Sequence, residues 1–312
     1  MWNRFSPHTR AVLQALLVTF LWSTSWVLIK IGLADIPALT FAGLRYVLAF
    51  LVLIPLYLRT AQATPLRALT RRDWLALALL GLVYYTITQG TQFLGLVYLP
   101  AITFSLLLNA TAVVTAVLGV LFLAERPSTR QWAGVAVFIG GVLVYFLPKQ
   151  IPSGQAIGYV IATITVLANS FSGILGRAVN RQNRLHPLTV TLVSMGIGSV
   201  LLLGLGLATE PWPVMTWQSW LLILFLAVVN TAVAFTLWNH TQRTLSAMES
   251  SIINNTMLIQ ITLLAWLFLG ETLTWVDAAG LALAAIGVLM VQFDWPTSLE
   301  WPTNRKPKAG KG

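Results

Sequence analysis

Long apolar stretches, separated by short polar segments, run along the whole chain. Ten of them are close to the roughly 20 residues that an α-helix needs to cross hydrocarbon. They begin near Ala11, Pro37, Trp74, Ala101, Arg130, Ala156, Leu188, Trp217, Ser250 and Leu273. The first follows a polar, basic start, is too long for the core of a signal peptide and lacks a cleavage pattern. The pattern predicts an all-α membrane protein with ten transmembrane helices.

The composition agrees with this prediction. Of the 312 residues, 57% are hydrophobic and only 9% are charged, whereas soluble domains contain about 25% charged residues. Such a chain cannot cover its surface with polar groups in water. Because it has no cysteine, disulfides, thiolate metal sites and thiol catalysis are excluded.

The basic residues lie mostly between the predicted spans, on one side of the membrane. With a cytoplasmic N-terminus, that side holds 16 of the 19, namely Arg4, Arg10, Arg59, Arg67, Arg71, Arg72, Arg126, Arg130, Arg177, Arg181, Arg184, Arg243, Arg305, Lys306, Lys308 and Lys311. The positive-inside rule therefore predicts an inner-membrane protein with both termini in the cytoplasm and a basic tail at residues 294–312. The net charge of +10 then reflects topology and contact with anionic lipids, and we expect no nucleic-acid binding.

The two halves of the chain repeat each other. An offset of 146 residues aligns 74–145 with 220–291 without a gap, and it pairs Trp74 with Trp220, Ser105 with Ser251, Asn109 with Asn255, Glu125 with Glu271, Gly134 with Gly280 and Gly141 with Gly287. Five spans per half is an odd number, so the second half must enter the membrane from the opposite side. We predict inverted repeats, 1–150 (helices 1–5) and 151–293 (helices 6–10), which are typical of secondary transporters.

Three segments carry a family resemblance: LWSTSWVLIKIGLADIPALTFAGLRYVLAF, FLAERPSTRQWAGVAVFIGGVLV and FLGETLTWVDAAGLALAAIGVLMV. In this order, and with the last two repeating each other, they resemble the EamA-like ten-helix exporters of the drug/metabolite transporter superfamily. The resemblance covers nearly the whole chain. It implies a central cavity lined by helices 1, 3, 4, 6, 8 and 9, with helices 5 and 10 as scaffold and no cofactor. Family members often have a proline near the middle of helices 4 and 9, where this chain has polar runs instead.

Polar side chains inside the spans are candidates for lining that cavity, because unpaired polar groups in hydrocarbon are costly. In helix 3, Tyr85, Gln89 and Gln92 lie at i, i+4 and i+7 and share one face. The further candidates are Trp22, Ser25, Tyr84, Asn109, Asn169, Ser172, Asn230, Asn254 and Asn255. Packing between helices is the alternative role for the serines and amides, and core or lipid contact is the alternative for Trp22.

Charged residues in or near the spans are a second group. Arg45 lies about 12 Å below the outer start of its helix, at 1.5 Å per residue, and either binds a substrate carboxylate or ties helix ends together. Lys30 and its repeat mate Arg177 lie close to opposite interfaces, and Glu125 and Glu271 end helices there, so we predict structural or gating roles for these four. No acidic residue falls in mid-membrane, so ion coupling through a buried carboxylate is not expected.

These observations predict a secondary transporter that exports amino acids or related small metabolites by alternating access of its two halves. Its expected partners are a small-molecule substrate and membrane lipids, and we expect a monomer or a weak homodimer. The alternatives are a lipid flippase and a lipid-modifying enzyme. An enzyme would need paired aspartates or a histidine and glutamate cluster to bind a metal, whereas His8, His186 and His240 lie outside the spans or at their ends.

Overall fold

The structure, a computed structural model, describes residues 6–123, 128–146, 153–180, 184–241, 244–245 and 247–292, of which 119–123, 153, 177, 180, 239, 247–248 and 251 are described in the backbone alone. The described residues form ten long helices and no strand. They are α1 (Pro7–Gly32), α2 (Ala38–Arg59), α3 (residues 71–98), α4 (Ala101–Leu123), α5 (Thr129–Phe146), α6 (Ala156–Asn180), α7 (Pro187–Thr209), α8 (residues 217–241), α9 (Ala247–Leu269) and α10 (Trp275–Gln292).

The predicted all-α membrane fold is confirmed. Within the described chain, nine helices are long and apolar enough to cross a membrane. The remaining predicted span, α3, is a continuous helix whose central turns carry the polar side chains Tyr84, Tyr85, Gln89 and Gln92. We call the face that holds the start of α1 and the end of α10 the terminal face, and the opposite one the distal face.

Equivalent helices of the two halves begin with similar caps. At the start of α3, α5, α8 and α10 a hydroxyl accepts a hydrogen bond from the backbone N–H three residues later, which satisfies a free donor of the first turn. The residue pairs are Thr70 with Asp73, Ser128 with Gln131, Thr216 with Ser219 and Thr274 with Asp277. These short signals set where each helix starts and therefore the depth of the residues that follow.

Helices α5 and α10 pack directly against each other along their glycines. A Cβ placed on Gly134 would lie 2.8 Å from the carbonyl oxygen of Gly287, and one on Gly141 would lie 2.7 Å from that of Gly280. The earlier glycine of one helix thus meets the later glycine of the other, so the two helices are antiparallel. This arrangement fits the scaffold role that the family resemblance implies for helices 5 and 10, because glycines let backbones approach closely.

The remaining helix contacts follow a pseudo-two-fold pattern. Helix α2 packs on α7, α1 packs on α9 as α6 packs on α4, and α3 packs on α7 as α8 packs on α2. One apolar core runs through both halves and includes the fully buried Phe41, Phe93, Phe104 and Met195. The division between repeats near residue 150 and the tail at residues 294–312 lie outside the described residues and stay predictions.

Candidate functional site

Helices α3 and α8 each contain a stretch of π-helix near their centre. It spans Gly81–Thr88 in α3 and Val228–Val233 in α8, positions that the repeat offset relates. π-helical turns are rare and are frequently found at functional sites. Both halves carry one at the same position, so the polar side chains on these segments and their neighbours are the candidate site.

Asn230, on the π segment of α8, joins this helix to α1. Its side chain is fully buried, and its Nδ2 donates to the carbonyl oxygen of Leu21, to Thr24 Oγ1 at 3.1 Å and to Ser25 Oγ at 2.8 Å. A carbonyl can only accept, so the contact with Leu21 defines which side of the amide is the nitrogen. Within the described chain, the buried Oδ1 of Asn230 has no hydrogen-bond partner.

Arg45 and Tyr46 extend this network from α2 to α8 and α3. The side chain of Arg45 is 5% exposed, and its Nε donates to Thr231 Oγ1 at 3.2 Å. The hydroxyl of Tyr46 donates to Gln89 Oε1 at 2.7 Å, and its ring lies 5.5 Å from that of Tyr85. Four helices are therefore joined by side chains that we call the polar cluster: Thr24, Ser25, Arg45, Tyr46, Tyr85, Gln89, Asn230 and Thr231.

The two other aromatic candidates lie at the edge of the polar cluster and are half-buried. The ring of Tyr84 is 4.8 Å from that of Tyr85. The ring of Trp22 lies 5.4 Å from Phe235 and 5.2 Å from Trp238 in tilted arrangements. Such pairs contribute about 0.5–1.5 kcal/mol beyond their buried area, so Trp22 holds α1 against the end of α8 whether or not it also contacts substrate.

The candidates on α4 and α6 lie apart from the polar cluster. Asn169 Nδ2 donates to Thr111 Oγ1 at 3.4 Å, while Asn109 Nδ2 donates to the carbonyl of Ser105, one turn earlier in its own helix, at 2.8 Å. The hydroxyl of Ser172 donates to the carbonyl of Asn169 at 2.7 Å. From residue 107 to residue 118, the described side chains of α4 are all half-buried, so this helix has space on more than one side.

The two candidates on α9, Asn254 and Asn255, have different surroundings. Asn255 is buried and its Nδ2 donates to Gln292 Oε1, at the end of α10, at 2.7 Å. Asn254 is exposed. Asn109 and its repeat mate Asn255 thus bond to different elements, Asn109 to its own helix and Asn255 to the end of α10. Gln92 of α3 is half-buried, and within the described residues no hydrogen-bond partner contacts it.

Several polar residues of the interior were not among the predicted candidates. Thr24, Thr231 and Tyr46 belong to the polar cluster, and Gln260 of α9 accepts from Ser23 Oγ at 2.9 Å and donates to Thr19 Oγ1 at 3.3 Å in α1. Tyr46 and Thr231 directly follow the candidates Arg45 and Asn230, and Gln260 stands between two isoleucines. The available signal was that a single amide or hydroxyl in hydrocarbon needs a partner.

Charged residues at the distal face hold the short turn between α3 and α4. Lys30 Nζ donates to the carbonyl oxygens of Leu96 and Leu99 at 2.5 and 2.9 Å, which closes the end of α3. Glu271 accepts from the backbone N–H groups of Ala101 and Ile102 at 2.6 and 2.9 Å, where the helix dipole of α4 favours negative charge. We call Lys30, Glu271 and this turn the distal clamp.

Another acidic residue holds the start of a helix at the distal face. Glu210, which was not among the candidates, caps α2 by accepting from the N–H groups of Leu39 and Thr40 at 3.0 and 2.8 Å. Arg177 lies in α6, but its side chain is outside the described residues, as is all of Glu125. Their predicted roles stay predictions.

Comparison with known proteins identifies the class of this fold. Residues 9–147 and 156–293 each match the model of the EamA-like transporter family. The chain belongs to that family. It is 31% identical over 299 residues to a probable amino-acid metabolite efflux pump of Salmonella typhimurium, covering 89% of this chain and 93% of the relative. It is 27% identical to a probable terminal-alkyne amino-acid exporter of Streptantibioticus cattleyicolor, covering 91% and 93%.

A solved crystal structure has the same fold. It superposes on this EamA-like chain with a TM-score of 0.65 at 19% identity and covers 90% of this chain and 96% of that one. The family match and the relatives confirm the predicted family and function class. The protein is a multi-pass membrane transporter and not an enzyme.

Proposed function

We propose that this EamA-like transporter exports α-amino acids or closely related small metabolites across the inner membrane. The observation that carries the proposal is the polar cluster, which gathers a buried guanidinium, two amides and several hydroxyls from four helices around the paired π segments. A small zwitterion needs donors and acceptors of this kind. The printed names of two relatives, an amino-acid metabolite efflux pump and an amino-acid exporter, favour the same substrate class.

Alternating access follows from the inverted arrangement. The distal clamp joins α1, the α3–α4 turn and the end of α9, so breaking it would open the distal face. Gly270, which has a φ of 65°, ends α9 and directs the chain toward Glu271. The repeat relation assigns the corresponding terminal clamp to Arg177 and Glu125. Transport then consists of opening one clamp while the other is closed.

The orientation in the membrane is part of this proposal. The distribution of basic residues places both termini, and hence the terminal face, in the cytoplasm. The distal clamp then closes the outer end of the pathway. The transporter works as a monomer or a weak homodimer and does not bind nucleic acid.

Purified protein in liposomes tests the function. Liposomes loaded with one unlabelled standard amino acid at a time should accumulate the labelled form by counterflow, and Gln89→Ala should slow this accumulation because Tyr46 and the substrate lose a buried polar partner. Thr163→Ala, which changes an exposed hydroxyl of α6, should retain wild-type rates. Counterflow of no amino acid, together with scrambling of a fluorescent reporter lipid, would replace the proposal with a flippase.

A further inference from the structure

Arg45 is a buried cation for which the described chain supplies no acid. Its α-carbon is seven residues into α2, about 10 Å from the distal end at 1.5 Å per residue. The acidic residues of the described chain are engaged elsewhere or exposed: Asp73 with Thr70, Glu210 with Thr40, Glu249 with His8, Glu271 with Ile102, Asp277 with Thr274, and Asp35 in an exposed turn.

Within the described residues, the hydrogen-bond partner of the Arg45 guanidinium is the hydroxyl of Thr231, and no carboxylate forms an ion pair with it.

The guanidinium of Arg45 is bound at Nε, which leaves Nη1 and Nη2 as available donors. Thr231 donates its own hydroxyl hydrogen to the carbonyl of Leu226 at 2.9 Å, so its oxygen accepts from Arg45 Nε. The guanidinium carbon also lies 5.3 Å from the centre of the Tyr46 ring, a favourable cation–π distance. Within the described residues, the hydrogen bond of the Arg45 guanidinium is made by Nε, and Nη1 and Nη2 make none.

Two chemical facts define what this site accepts. Arginine does not lose its proton in proteins, so burial cannot neutralise it. Its two terminal nitrogens form a planar pair of donors that matches the two oxygens of a carboxylate. A buried guanidinium that is fixed at Nε and has no carboxylate partner among the described residues is thus suited to receive an anion from outside the chain.

We propose that Arg45 binds the carboxylate of the transported solute through Nη1 and Nη2. The proposal rests on the proposed function and narrows it: substrates are amino acids or related metabolites with a free carboxylate, and carboxamides are poor substrates. Thr231 acts as a positioning residue, because it sets the orientation of the guanidinium.

Counterflow in proteoliposomes tests this assignment. The amino acid that the wild type exchanges best is compared with its own carboxamide, which keeps the amine and the side chain but lacks the negative charge. We expect the wild type to prefer the acid by about 10- to 100-fold in half-saturating concentration, the factor expected from hydrogen bonds to a charged group. In Arg45→Gln the half-saturating concentration of the acid should rise by about this factor while that of the amide changes little, so the preference disappears.

Two further variants complete the experiment. Arg45→Lys keeps the charge but loses the paired donors, so it should keep only part of the preference. Arg59→Gln changes an exposed arginine at the other end of α2 and should keep wild-type values for both solutes. Size-exclusion chromatography establishes which variants fold. If Arg45→Gln does not fold, the preference for acid over amide in Arg45→Lys is the deciding measurement.

Each outcome separates this proposal from the general function. An unchanged preference in Arg45→Gln, or in Arg45→Lys where only that variant folds, would overturn the role of Arg45 while leaving amino-acid transport intact. Equal transport of acid and amide by the wild type would do the same. A wild type that exchanges no amino acid would overturn both.

Discussion

The seam between α5 and α10 allows a sharp test of the packing. In Gly141→Ala the new methyl group would lie 2.4 Å from the backbone nitrogen of Ala284 and 2.7 Å from the carbonyl oxygen of Gly280. Both are backbone atoms that cannot rotate away, so the helices must separate by about 1 Å to restore contacts of about 3.5 Å. Such overpacking costs about 1–3 kcal/mol, against a gain of about 0.5–1 kcal/mol for replacing glycine in a helix. We expect a net loss of about 1–2 kcal/mol.

The neighbouring glycine is the matched control. A Cβ on Gly140 would meet no atom within 4 Å, so Gly140→Ala should keep only the helix gain and raise stability by up to about 1 kcal/mol. Unfolding of both variants in the same detergent, by heat or by added sodium dodecyl sulfate, and followed by circular dichroism, measures the difference. Equal stability of the two variants, or a less stable Gly140→Ala, would refute the antiparallel seam described above.

Three further changes test other contacts. Glu271→Gln should destabilise the closed distal face by about 1 kcal/mol, because a neutral amide accepts the two N–H bonds of α4 more weakly. In an Ala101→Cys background, which puts a buried cysteine at the start of α4, labelling from outside should become faster, and an unchanged rate would exclude a clamp. Gln260→Leu should lower the free energy of unfolding by about 1 kcal/mol, from roughly 0.6 kcal/mol per membrane hydrogen bond. In a double-mutant cycle the loss should be smaller in the Ser23→Ala background, because that variant already lacks one of these bonds; equal losses in both backgrounds would exclude the contact. Asp73, just before the apolar part of α3, has its pKa held below the usual range by hydrogen bonds from Thr70. Its stabilising effect is therefore present at neutral pH and lost as the pH falls through that lowered pKa. Wild type and Asp73→Asn should differ by about 0.3–1 kcal/mol in free energy of unfolding at pH 7, the range for a charge near a helix N-terminus, and converge in acid.

The sequence by itself determined the membrane fold, the family and the repeat. The lengths of the apolar stretches predicted the helices, and the recurrence of rare residues such as Gly141 and Gly287 predicted the repeat. The odd number of spans per half required opposite insertion. The length of an apolar stretch and the identity of residues at a fixed offset can both be read from the sequence without knowing how the helices pack.

Only the tertiary structure decided which polar groups meet. Arg45, Gln89 and Asn230 were singled out from their chemistry. Their respective partners Thr231, Tyr46 and Thr24 come from other helices. The paired π segments of α3 and α8 also rotate the following residues relative to an ideal α-helix, which hydropathy does not reveal. Whether an amide bonds its own helix, a neighbour or a solute depends on the rotation and crossing of whole helices, and those are set by the sum of all packing contacts.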